Sequence, residues 1–183
     1  MKTPLLSVVA ITGPDRGRAE RLLAALAVQS IASDVEAVII DLAPAGSHPV
    51  TPPAGLRTLI VRQPGSDDWG AARGEGVRHA QAPVVAFLED HTIPAACWAE
   101  EVARTFDGGG WDGAAACYAF TNGSPDTYFY RSVFMTEYGA LAHPLPEGPA
   151  PTSAANNIAY RRDALLALGE SLDTLLEMDF FLQ

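Results

Sequence analysis

The run Val84-Val85-Ala86-Phe87-Leu88 follows Pro83 and stops on Glu89-Asp90-His91. Five apolar residues are too few for a helix and too uniform for a strand with one wet face. The run therefore predicts a strand covered on both sides, as in a parallel sheet. Two further runs share this character, Leu5 to Thr12 and Val35 to Leu42, and a shorter one spans Leu56 to Val61. Between the strands lie segments with helical spacing. Arg18 to Gln29 places Leu22, Leu23, Leu26 and Ala27 on one face, and Gly70 to Ala80 and Ala95 to Phe106 read as the next helices, with Pro94 in the first turn of the latter. Strands alternating with helices predict an α/β fold with a mostly parallel sheet and right-handed crossovers.

Open sheets of this kind bind ligands outside the carboxyl ends of their strands. The acids after Leu88 are thus delivered to a ligand-binding edge, and carboxylate oxygen and imidazole nitrogen are groups that a divalent cation such as Mn²⁺ accepts. The plainer alternative is that the same acids are solvated and cap the helix that follows. His91 stays open between a metal ligand and a helix-start residue facing solvent.

A chain of 183 residues, 48% hydrophobic and 19% charged, suits one soluble domain with a real core. The net charge of −10 argues against a general partner of nucleic acid or anionic membrane. Cys97 and Cys117 lack metal or redox spacing and read as small buried residues. Leu5 to Ile11 is too short for a signal peptide, and no apolar run is long enough to cross a bilayer. These features predict a cytoplasmic setting, with a membrane-associated partner still open.

Past Gly108-Gly109-Gly110, Trp111 to Phe120 predicts a fifth strand. The pattern then loosens: Tyr128, Phe129, Tyr130, Phe134 and Tyr138 cluster among turn residues, and Pro144 to Pro151 reads as a flap. A short extended stretch ends at Arg161-Arg162, a helix covers Asp163 to Leu168, and a last helix covers Leu172 to Leu182.

The order of these parts resembles the inverting family 2 glycosyltransferases of GT-A fold. Ser7-Val8-Val9-Ala10-Ile11-Thr12 is similar to their first strand, and Ile39-Ile40-Asp41 to the end of their second. Ala72-Arg73-Gly74-Glu75-Gly76 resembles their Ala-Arg-Asn-x-Gly helix with Gly74 in the Asn place, and Glu89-Asp90-His91 resembles their Asp-x-Asp region. Asn157-Ile158-Ala159-Tyr160-Arg161-Arg162 resembles the segment before the acceptor-side helix. The resemblance implies one GT-A-like domain over residues 1–183. Residues 1–120 would be the nucleotide-sugar-binding half and 121–183 a partial acceptor-binding half.

It also implies a metal-dependent transfer of sugar from a nucleotide-sugar donor to a glycan or lipid-linked acceptor, as in polysaccharide biosynthesis. Thr12, Asp41, Arg73, Glu89 and Asp90 would contact the donor, and Asp90 with His91 would hold Mn²⁺ or Mg²⁺. The general base would be Glu177, with Asp179 second, in the stretch Leu176-Glu177-Met178-Asp179. Several positions depart from the family pattern. Leu42 replaces the second acid after strand two, Gly13-Pro14-Asp15 replaces a Tyr-Asn pair, Met178 interrupts an acidic pair, and the chain ends at Gln183, where the family core continues. Two other readings remain: a non-catalytic nucleotide-sugar-binding or scaffold subunit, and a sugar-nucleotide pyrophosphorylase.

Overall fold

The computed structural model describes residues 2–110, 113–120, 127–149 and 157–177. Six strands form one sheet: β1 (Leu6–Thr12), β2 (Val35–Asp41), β3 (Arg57–Arg62), β4 (Val84–Leu88), β5 (Gly113–Ala115) and β6 (Asn157–Arg161). Their order is β3-β2-β1-β4-β6-β5. The first four neighbours run parallel, while β6 is antiparallel to both β4 and β5. The sheet is thus mostly parallel, as the apolar runs predict, with one reversed strand near its edge. All residues of β1, β2 and β4 are buried, because helices cover both faces.

On one face, β1 sends Leu6, Val8 and Ala10 against Ala19, Leu22, Leu23 and Leu26 of α1 (Arg16–Ala27) and Ala99 and Phe106 of α3 (Trp98–Asp107). On the other, Val9 and Ile11 meet Ala72 and Val77 of α2 (Trp69–His79), and Leu165 of α5 (Arg162–Ala167) and Leu172 and Leu176 of α6 (Leu172–Glu177) join them. The glycines of α2 permit this second layer. A Cβ at Gly70 or Gly74 would collide with Asp173 of α6, and one at Gly76 with Val9 of β1.

Three expectations need correction. The segment rich in Tyr and Phe is helical, α4 (Tyr128–Tyr138), with Thr127 capping it through the Tyr130 N–H. Pro94 lies ahead of α3 rather than in its first turn, since that helix starts at Trp98. Buried Gln29 organises that start instead: its amide donates to the Ala95 carbonyl and accepts from the Ala99 N–H. Cys97 and Cys117 are exposed, not buried, because each sits in a surface connection just outside a regular element.

Candidate functional site

The sheet order turns at β1, with β2 and β3 on one side and β4 on the other. At that switch point a cleft of about 240 Å³ opens. Its floor is the carboxyl end of β1 from Val9 to Gly13. One wall is Phe87 to His91, and Trp69 and Arg73 of α2 form the other.

Asp90 is held from behind, where the Thr12 hydroxyl donates to its Oδ2 at 2.9 Å. Its side chain remains 12% exposed and that of Glu89 41%. Between them stands His91, with Nε2 3.0 Å from Glu89 Oε2 and Nδ1 3.5 Å from Asp90 Oδ1. Hydrogen bonding to Asp90 and then to Glu89 outweighs partial burial and pushes the imidazole pKa up to about 9. At neutral pH the ring is therefore a cation with both nitrogens protonated. His91 in this arrangement is a counter-ion to the two acids, and its nitrogens are turned to them.

Among the described residues, no three His, Cys, Asp or Glu side chains form a ready-made metal cage. Mg²⁺ and related hard cations in phosphate sites need less: one or two carboxylates, with phosphate oxygens and water completing the shell. Glu89 and Asp90 already converge on one positive partner, so their donor set suits such an ion. Tyr118 stands close behind, its ring 4.7 Å from that of Tyr138. Burial raises its phenol pKa, and the neighbouring Tyr138 and Glu89 add to the shift.

Arg73 lines the cleft and donates to the Leu176 carbonyl at 2.7 Å, which ties α2 to the end of α6. Glu177 accepts the Gly70 N–H through Oε2 at 2.6 Å, while Asp68 accepts the Ala71 N–H at 2.8 Å. Two carboxylates thus cap the start of α2, a favourable placement at a helix N-terminus. Glu177 itself does not line the cleft; its partner Gly70 adjoins Trp69, which does. Asp179 lies outside the described residues.

Asp41 is placed differently. It is 1% exposed and accepts from Arg16 twice, at 2.6 Å on Oδ1 and 2.8 Å on Oδ2. The Ala43 N–H adds a third bond at 3.0 Å, and Arg62 Nε lies 3.2 Å from Oδ2. Burial alone would raise this carboxyl pKa, but Arg16, the Ala43 N–H and Arg62 together hold it below its ordinary value. Arg16 also bonds the carbonyls of His48 and Gly13, so the guanidinium is built into the fold. The structure brings Arg73, Glu89, Asp90 and His91 to one cleft, with Thr12 buried behind Asp90, and Asp41 does not line it. Sequence reasoning missed Arg16 and Trp69. The helix predicted from Arg18 starts two residues late and excludes Arg16, and the one predicted from Gly70 excludes Trp69 by one residue.

Residues 18–169 match the family model described as glycosyl transferase family 2. No curated protein matches the chain at the sequence level. Among solved structures, the chain is similar to S. aureus TarS 1–349 in complex with UDP-GlcNAc, at 18% identity and a TM-score of 0.64, covering 97% of this chain and 53% of that one. It is also similar to the mannosyltransferase PcManGT from Pyrobaculum calidifontis in complex with GDP-Man and Mn²⁺, at 19% identity and a TM-score of 0.61, covering 92% of this chain and 48% of that one. The chain thus spans about half the length of these structures, and the likeness is one of fold. With the family match covering most of its length and the sheet, the switch-point cleft and the strand-end acids in agreement, the chain belongs to glycosyl transferase family 2.

Proposed function

We propose that the cleft binds a nucleotide-sugar donor and that the protein transfers its sugar, with inversion and with a divalent cation, to a glycan or lipid-linked acceptor. The observation that carries this reading is the convergence of Glu89 and Asp90 on the His91 ring at the switch-point cleft. The solved relatives support the donor class, one being in complex with UDP-GlcNAc and another with GDP-Man and Mn²⁺. Asp90 and Glu89 would hold the cation, and its Lewis acidity would supply charge neutralisation for the leaving diphosphate. Thr12 fixes the Asp90 carboxylate, and Arg73 offers a guanidinium to a phosphate oxygen. Glu177, with Asp179 second, is the candidate base that takes the acceptor hydroxyl proton as the new bond forms.

Calorimetric titration with UDP, GDP, dTDP and CDP, each with and without Mn²⁺, tests the donor reading. Binding of at least one nucleotide that strengthens with Mn²⁺ is expected. Failure of all four in both conditions contradicts it.

A second reading, a binding subunit without catalysis, is favoured by one observation: the Glu177 carboxylate is tied to the Gly70 N–H. Glu177→Gln separates the two. As the base, Glu177 is needed for transfer while donor binding survives. Tight nucleotide binding with no transfer by the parent protein would favour the binding subunit. Transfer that persists after loss of both Glu177 and Asp179 would reject the base assignment.

A further inference from the structure

Trp69 has no part in the chemistry above, yet it stands at the mouth of the cleft. It opens α2 and is 51% exposed, an uncommon state for so large an aromatic residue. It lines the cleft together with Gly13, Arg18 and Arg73. The helix start that carries it is fixed from two directions, by Asp68 on the Ala71 N–H and by Glu177 on the Gly70 N–H. The neighbouring Gly70 is pressed against α6 so closely that a Cβ there would strike the Asp173 carbonyl. A helix start fixed at both points therefore presents a half-exposed aromatic side chain to a cleft that Arg18 and Arg73 also line.

The polar way of reading a base near this edge is closed. Three hydrogen bonds and the Arg62 contact occupy the Asp41 oxygens, and the carboxylate is buried, so it has no site for a base N–H. Trp69 instead adds an exposed aromatic side chain to the cleft lining. We propose that Trp69 is the stacking platform for the nucleobase of the donor, which makes base selection in this chain weak. Every base has a π-face, so stacking tolerates uracil and guanine alike, whereas hydrogen bonding to a carboxylate does not. The inference rests on the nucleotide-sugar reading above.

The test is calorimetry with UDP, GDP and a hexose 1-phosphate, each with Mn²⁺, on the parent protein and on Trp69→Leu and Trp69→Phe. Leucine keeps apolar bulk without a π-face, and phenylalanine restores the face. Trp69→Leu should weaken UDP and GDP by about tenfold or more, to a similar extent. Trp69→Phe should recover most of that loss, and hexose 1-phosphate affinity should not move. Unchanged UDP and GDP affinity in Trp69→Leu overturns the role of Trp69 and leaves the donor reading standing. An equal fall for hexose 1-phosphate also overturns it, by assigning the ring to the sugar. A parent that binds neither nucleotide overturns both.

Discussion

Asp41 and Asp90 lie at the carboxyl ends of β2 and β4, the strands on either side of β1, and each follows an apolar run. Asp41 is closed off by Arg16, Arg62 and a backbone N–H, whereas Asp90 keeps one firm bond, from Thr12, and a looser contact with His91. One carboxylate is thereby part of the fold's framework, and the other lines the cleft with its side chain 12% exposed. A strand-end acid is a ligand group only when its lone pairs are not already spent inside the protein. What decides this is a partner distant in sequence: Arg16 for Asp41 and Thr12 for Asp90.

The largest difference between the two acids should be in stability. Asp41→Ala leaves Arg16 buried without its anion and is expected to cost about 3–5 kcal/mol of unfolding free energy. Denaturant unfolding checks this, and a loss comparable to that of Asp90→Ala would erase the distinction. The next effect is on binding. Arg73→Ala should weaken nucleoside diphosphate affinity by about 1.5–3 kcal/mol if a charged hydrogen bond to phosphate is lost, while a change within error would leave Arg73 as only a tie between α2 and α6. Thr12→Val should be milder, about 0.5–1.5 kcal/mol, and confined to the metal-dependent part of binding, because it loosens Asp90 without removing it.

The smallest effect separates the acids by pH. The lowered Asp41 pKa gives stability that is present above the ordinary carboxylate value of 3.8 and lost as pH falls through the folded value. His91 has the opposite sign: its contribution is complete below 6.5 and fades as pH rises toward about 9. A histidine ring signal in NMR that titrates near 9 in the parent, and closer to 6.5 in Asp90→Asn, is the expected outcome. An unshifted His91 would separate the ring from the acids.

Much of this frame was legible beforehand. The bounds of β4 follow from its run of five apolar residues, and β1, β2 and β3 shift by no more than a residue at either end. The placing of Thr12, Glu89, Asp90 and His91 at one edge follows from the parallel ends of β1 and β4, and Arg73 reaches the cleft from α2. What sequence could not provide were the long-range pairings. Arg16 reaches Asp41 across 25 positions, and Glu177 reaches Gly70 across 107. The reversal of β6 was equally hidden, since Asn157 to Arg161 carries no sign of strand direction. The helix α4 was read as turns because its aromatic residues, none of them buried, follow no core-facing period.

The central claim is that Asp90, unlike Asp41, is a ligand-binding acid. It is tested most directly by calorimetry of a nucleoside diphosphate with and without Mn²⁺ on the parent and on Asp90→Asn, with thermal unfolding measured on both. Asp90→Asn is expected to unfold at the parent's temperature and to lose the Mn²⁺-dependent gain in affinity. The same Mn²⁺-dependent gain in both proteins would contradict it.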